Sequence, residues 1–252
     1  MLRCGLLGRK LGHSISPKIH SMLADYSYEL FEKEEDEVGA FIEAKEYDGL
    51  NVTIPYKKTV FQYMDEVSDV ARKIGSINTI VKRADGTLYG DNTDVFGFSE
   101  LLRVFGAKPA GKKVLVLGSG GASVSVKYVL ESLGADIVTI SRSGEDNYDN
   151  LEKHMDASYI VNTTPVGMYP NITEAPLDPG PFKACEGVVD IIYNPSVTKL
   201  MELAGKAGIP SVNGLYMLVA QAAKSSAQFR GVVADDSVIE RIYERLKEQP
   251  LN

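Results

Sequence analysis

Two cysteines in 252 residues, Cys4 and Cys185, are too few and too far apart for a disulfide framework, which fits a reducing compartment. Histidine is nearly as scarce. The three present, His13, His20 and His154, lack the spacing to cysteine or carboxylate that a metal site needs, so no metal is expected. Lysine and arginine total 27 against 34 acidic residues, a net charge of −7, which argues against nucleic acid as a partner. No apolar run approaches the roughly 20 residues of a bilayer span. The opening MLRCGLLGRKLGHS lacks the long apolar core and small-residue cleavage site of a signal peptide. Ser14 sits in no G-x-S-x-G elbow, which removes the common hydrolase reading. What remains is a cytoplasmic protein with a small molecule as its partner, no membrane and no nucleic acid; a homodimer is allowed. The hydrophobic share of 44% is that of a globular chain, and the length suits two modest domains.

The pattern changes near the middle. Residues 1–94 read as a small α/β unit with a mixed sheet. Its expected strands begin at Arg3-Cys4-Gly5-Leu6-Leu7-Gly8 and recur at Tyr28–Phe31, Gly49–Thr53 and Asn78–Val81, and Ser16-Pro17 starts a helix with proline at its first turn. Asp85-Gly86 marks the tip of a hairpin. The acidic run Glu32–Glu37 reads as a solvated turn or helix face. From 95 onward the chain reads as βαβ units, with strands expected at 113–118, 136–140, 158–162 and 187–192. A helix over 122–133 ends at Gly134. Two helices are expected between Met217 and Lys247. The fold class is therefore α/β, a mixed-sheet domain followed by a doubly wound one.

The apolar strand Val114–Leu117 runs into Gly118-Ser119-Gly120-Gly121-Ala122-Ser123 and then a helix. Glycines let backbone approach a pyrophosphate, and the helix N-terminus behind them offers free N–H groups. Ser123 stands where a third glycine is usual, and is small enough for close helix–strand packing. The next strand ends in Ser141-Arg142-Ser143 without the acidic residue that accepts a ribose 2′-OH in NAD enzymes. Arg142 could pair with a 2′-phosphate, which favours NADP. The plain alternatives are an ordinary βα turn and a solvated arginine. Glu145 and Asp146 would weaken a phosphate site if they pointed inward.

Four polar clusters interrupt the first domain: 12–17 around Ser14 and Ser16; Asn51-Val52-Thr53-Ile54-Pro55-Tyr56-Lys57; 75–79 around Asn78; and Gly90-Asp91-Asn92-Thr93-Asp94. Each ends a strand or opens a helix, where side chains converge on a cleft. Hydroxyls and amides both donate and accept, which suits a polyol. Lys57 is the candidate acid/base for alcohol oxidation, with Asp94 as its partner. Taken alone, Lys57 could be a surface lysine and Asp94 a helix cap.

Together these residues resemble the shikimate dehydrogenase family, over nearly the whole chain and in order. Gly8–Pro17 with His20 is similar to the family's substrate loop, with Ser14 and Ser16 like the serines that hold the substrate carboxylate. Asn51–Lys57 resembles the motif that supplies Asn51, Thr53 and the catalytic Lys57. Asn78 and Asp94 match a substrate-binding asparagine and the lysine's partner. Residues 118–123 and Ser141-Arg142-Ser143 resemble the phosphate loop and the NADP-selecting turn. The loop 162–168, with Thr163, Thr164 and Met168, looks like the one beside the cofactor. Ile191 and Tyr193 fall in a loop that reaches cofactor and substrate. Gly214 and Met217 would lie by the nicotinamide, and Gln221 would bind a substrate hydroxyl. The resemblance implies a Rossmann-like NADP domain over 95–218 and a substrate domain over 1–94 completed by helices within 219–252. The implied reaction interconverts shikimate and 3-dehydroshikimate in chorismate and aromatic amino-acid biosynthesis. Three departures stand out: Ser21 where asparagine is common, Ser141 where asparagine is common, and no second basic residue beyond Arg142. The rival readings are a quinate/shikimate dehydrogenase that uses NAD or NADP and a non-catalytic NADP-binding regulator.

Overall fold

The computed structural model describes residues 1–12 and 14–249. His13 and residues 250–252, the end of the expected C-terminal helical segment, lie outside the described residues. The chain divides into two compact units, Met1–Gly97 with Val219–Glu248, and Phe98–Leu218.

Unit 1 is built on a six-stranded sheet of order β2-β1-β3-β5-β6-β4. Its strands are β1 (Arg3–Gly8), β2 (Ser27–Glu32), β3 (Gly49–Val52), β4 (Glu66–Val67), β5 (Thr79–Lys82) and β6 (Leu88–Asp91). β1 pairs parallel with β2 and β3, β5 runs antiparallel to β3 and β6, and β4 pairs parallel with β6. The β5–β6 hairpin turns at Gly86, whose φ of 82° suits glycine. β4 escapes a sequence reading because two residues carry no alternation to detect.

Strand alternation sorts side chains onto two faces. Leu50 and Val52 of β3, Leu7 of β1 and Ile80 of β5 form a core with Val38 and Ile42 of α2 (Val38–Ala44) and Ala71 of α3 (Asp69–Ile74). Each buried valine, leucine or isoleucine of this core contributes about 1.5–3 kcal/mol relative to exposure. The opposite face meets α7 (Leu215–Arg230): a Cβ on Gly49 would fall 2.2 Å from the Phe229 ring. Asn51, two residues on, lies between the core-facing Leu50 and Val52 and looks the same way as Gly49. α1 (Ser16–Leu23) and α8 (Asp236–Lys247) complete the unit. α8 is amphipathic, burying Ile239, Ile242 and Leu246 on one stripe, and Asp235 caps it by accepting from Ser237 N–H at 2.9 Å. Exposed Glu34, Glu35 and Asp36 confirm the solvated reading of the acidic run.

Unit 2 holds a five-stranded parallel sheet of order β11-β10-β9-β7-β8. The strands are β7 (Lys113–Leu117), β8 (Asp136–Ile140), β9 (Tyr159–Asn162), β10 (Gly187–Asp190) and the two-residue β11 (Ser211–Val212). The apolar runs of β7, β9 and β10 are buried as parallel central strands require. Chain order reverses between β7 and β9, the switch point where ligands bind in open α/β sheets. α5 (Gly121–Ser132) follows β7 and α6 (Lys199–Lys206) follows β10, and the chain crosses between units within α4 (Asp94–Phe105) and again within α7. No described helix is long and apolar enough to cross a membrane.

Candidate active site

In unit 1 the sheet topology places the four polar clusters at one edge. The parallel strands β1, β3 and β6 end there and antiparallel β5 begins there, with Leu7 opposite Val52, Asn51 opposite Thr79, and Thr79 opposite Asp91. Lys57 follows β3, and its carbonyl accepts from Ile77 N–H at 2.8 Å, which fixes the backbone beneath the side chain. Lys57 Nζ donates to Asp94 Oδ2 at 2.6 Å, with the two side chains 20% and 15% exposed. Asn78 Nδ2 donates to the other carboxylate oxygen, Oδ1, at 2.9 Å. Asp94 opens α4, and its N–H donates to Asn92 Oδ1 at 3.1 Å. The helix terminus is thus served by a neighbouring amide, and the Asp94 carboxylate faces Lys57 and Asn78.

Asn78 is held in turn. Its Oδ1 accepts from Thr93 N–H at 2.7 Å and from Thr79 Oγ1 at 2.9 Å. Thr93 Oγ1 lies 3.5 Å from Gln221 Oε1 of α7. The sequence places Thr79 and Thr93 within the polar clusters without giving either a role. Threonines in a strand and at a helix start carry no distinguishing signal until pairing sets them side by side.

Asn51 is 6% exposed, and all its hydrogen-bonding capacity is used inside the protein. Its Oδ1 accepts from Tyr28 Oη at 2.7 Å and Ser225 Oγ at 3.4 Å, and its Nδ2 donates to Asn78 O and Thr79 Oγ1 at 3.4 and 3.3 Å. An amide so engaged holds the strand edge beneath the site. Behind it, buried His20 stacks on Tyr28 with centroids 3.8 Å apart, and its Nδ1 lies 2.6 Å from Tyr26 Oη. Burial pushes the imidazole pKa down to about 3, so His20 is neutral. Ser14 and Ser16 are half-buried at the start of α1, where Ser16 N–H donates to Ser14 Oγ at 3.3 Å. Thr53 is half-buried beyond β3, its N–H on Leu7 O.

In unit 2 the remaining candidates follow the carboxyl ends of parallel strands. Gly118 follows β7 with φ 101°, and a Cβ there would come within 2.9 Å of Thr164 Cγ2. A Cβ at Gly120 or Gly121 would meet nothing within 4 Å, and α5 has no side-chain cap. An open approach to an uncapped helix start fits a pyrophosphate. Ser123 is fully buried and its Oγ donates to Gly120 O at 2.6 Å, so it shapes the loop from beneath. Ser119 and Ala122 share this loop. Ser141, Arg142 and Ser143 follow β8; Arg142 is exposed and close enough to bear on the ionisation of Tyr148.

Asp190 ties the other loops together. It is fully buried, accepting from Asn162 Nδ2 at 3.0 Å, Ile192 N–H at 3.1 Å and Thr198 Oγ1 at 2.7 Å. Burial raises its pKa, against the opposing pull of these three hydrogen bonds. Asn162 Oδ1 in turn accepts from Thr164 N–H and Oγ1. Thr163 Oγ1 donates to Leu117 O at 2.7 Å, so its hydroxyl is spent on the strand beneath Gly118. A Cβ at Gly214 would fall 1.9 Å from Ile191 O, which makes glycine obligatory there. Met168 is exposed and Met217 buried. Tyr193 is half-buried, and burial raises its phenol pKa. Among the described residues no three His, Cys, Asp or Glu side chains cluster as metal ligands would.

Comparison with known proteins gives these two edges a context. Residues 6–80 match the family model described as the shikimate dehydrogenase substrate binding domain. A Clostridium perfringens protein named shikimate dehydrogenase (NADP(+)) is 38% identical, covering 96% of this chain and 97% of its own. A crystal structure of shikimate dehydrogenase 1 from Peptoclostridium difficile superposes with a TM-score of 0.89 at 33% identity, covering 98% of both chains. The Thermus thermophilus enzyme, solved in complex with NADP(H) and shikimate, gives 0.87 at 30% identity, covering 97% of this chain and 99% of its own. With relatives this similar along nearly its whole length, the chain belongs to the shikimate dehydrogenase family.

Proposed function

We propose that this protein catalyses the reversible NADP-linked oxidation of shikimate to 3-dehydroshikimate, a step of chorismate and aromatic amino-acid biosynthesis. The observation that carries the reading is the 2.6 Å contact between Lys57 Nζ and Asp94 Oδ2, at an edge rich in hydroxyl and amide side chains. Lys57 takes the proton of the substrate hydroxyl during oxidation and returns it to the carbonyl oxygen during reduction. Asp94, itself held by Asn78, orients the lysine amine so that its free lone pair can take the proton, and both side chains bind neighbouring substrate hydroxyls. Ser14 and Ser16 hold the substrate carboxylate, and Thr53, Gln221 and Tyr193 contribute further hydrogen bonds. Asn51 supports these groups from within the fold.

The glycine loop 118–121, with Ser119, Ala122 and the start of α5, holds the pyrophosphate of NADP. Ser123 fixes the loop's shape. Ser141, Arg142 and Ser143 receive the 2′-phosphate, and Thr163, Thr164, Met168, Ile191, Gly214 and Met217 enclose the nicotinamide end. Bound there, the oxidised nicotinamide supplies the acceptor for the hydride that leaves the substrate carbon. The substrate domain is 1–94 with 219–252 and the cofactor domain 95–218, in a cytoplasmic enzyme.

The test is the absorbance of reduced nicotinamide when the protein is mixed with NADP and shikimate. A steady rise supports the assignment. No rise with any pairing of shikimate or quinate with NADP or NAD refutes it, and equal rates on quinate would make the enzyme a quinate/shikimate dehydrogenase.

A further inference from the structure

The turn after β8 contains a carboxylate that ought to oppose a 2′-phosphate. The turn 141–146 closes on itself: Ser141 N–H donates to Asp146 O at 3.2 Å, and Gly144 N–H to Ser141 O at 3.3 Å. Asp146 is therefore a cross-turn neighbour of Ser141, next to the residues that would receive the phosphate. In NAD enzymes an acidic side chain at the end of this strand is what turns NADP away.

Here that carboxylate is committed elsewhere. Asp146 Oδ1 lies 2.8 Å from His154 Nε2. A carboxylate only accepts, so Nε2 carries the hydrogen and donates to it. His154 ends the short 3₁₀ turn Leu151–His154 and is 9% exposed, so the ring is fixed by its surroundings. Two asparagines stiffen the intervening chain. Asn150 Nδ2 donates to Glu145 O at 2.9 Å and Asn150 Oδ1 accepts from Asn147 N–H at 2.9 Å.

We infer that His154 is a positioning residue for cofactor choice: by holding Asp146 through a direct hydrogen bond, it keeps that negative charge from the turn that takes the 2′-phosphate. The inference rests on the Arg142 phosphate reading above and goes beyond it by naming the residue that keeps the site permissive. It also gives a buried histidine, otherwise outside the mechanism, a task that its distance of eight positions from Asp146 conceals in the sequence.

The experiment compares Michaelis constants for NADP and NAD in the wild-type enzyme, Arg142→Ala, His154→Ala, Asp146→Asn and the His154→Ala/Asp146→Asn pair. His154→Ala frees the carboxylate and raises the NADP constant about tenfold, the size expected of a carboxylate near a doubly charged phosphate, with the NAD constant within about twofold. The double variant returns the NADP constant to near its starting value. Asp146→Asn alone changes little, because the charge it removes is already held away. An equal rise for both cofactors in His154→Ala, or no rescue in the double variant, overturns the inference. Should His154→Ala fail to fold, Asp146→Asn decides: an NADP constant lowered several-fold means the carboxylate already faces the phosphate, whereas an unchanged constant supports the inference. Equal effects of Arg142→Ala on both cofactors would instead remove the phosphate reading itself, while a selective Arg142 effect without a His154 effect removes only the inference about His154.

Discussion

In unit 1 the groups gathered at the sheet edge are side chains, Lys57, Asn78 and Asp94, tied to one another and to Thr79 and Thr93. The corresponding edge of unit 2 presents backbone: an open glycine loop, an uncapped helix start, and loops fastened from below by the buried Asp190. A polyol is told from its relatives by hydroxyls, which takes positioned donors and acceptors. A pyrophosphate is the same in every dinucleotide, so backbone N–H groups suffice. The buried titratable groups differ as well. Unit 1 hides an imidazole that stays neutral and unit 2 a carboxylate whose pKa is raised, so acid acts on them with opposite sign.

The sharpest break of this contrast is Lys57→Ala, which removes chemistry and leaves the edge standing. Turnover should fall by at least about 100-fold in steady-state assays, the usual loss for a general acid–base group, with a much smaller change in the Michaelis constant for shikimate. Next in size is Asp190→Ala, which strands three donors in a buried site. Denaturant unfolding should show a loss of about 2–4 kcal/mol, and NADP affinity should fall more than shikimate affinity.

The acid limb of stability tests the opposed signs. Burial depresses the folded pKa of His20 to about 3 from the ordinary imidazole value of 6.5. The unfolded chain therefore takes up a proton that the native state refuses, and stability is lost as pH falls from 6.5 towards 3, to a total of about 3–5 kcal/mol. Asp190, with its folded pKa raised above 3.8, works the other way, and its contribution is lost as pH rises above 3.8. His20→Phe should flatten the acid limb in urea titrations between pH 7 and 4, and an unchanged limb would place the acid sensitivity elsewhere. The smallest effect is expected for Gly120→Ala. With nothing within 4 Å of the added Cβ, the melting temperature should hold. The NADP constant should still rise, by roughly threefold to tenfold, because the methyl occupies the approach to the loop.

The two units also differ in how far their sequence could be read. The continuous apolar runs of β7, β9 and β10 and the glycine loop announce a parallel sheet and its switch point directly. Lys57 and Asp94 were legible as candidates because polar residues cluster where strands end. Their pairing was expected as well, but not its geometry, since the contact arises from antiparallel β5 and β6 bringing position 94 beside the chain that follows β3. Asn51 shows the limit most plainly. Its motif marks it as a ligand, but strand alternation turns it under α7, where Tyr28 and Ser225 use its oxygen. Asp190 and His154 acquire meaning only through partners that the fold supplies.

The central claim is that Lys57 moves a proton and does not merely hold the substrate. Calorimetric titration of Lys57→Ala with shikimate in the presence of NADP, set beside its turnover, tests it most directly. The account predicts a dissociation constant within a few-fold of wild type alongside turnover reduced about 100-fold or more. Binding lost in proportion to turnover would make the lysine a substrate clamp and contradict the proposed acid–base role.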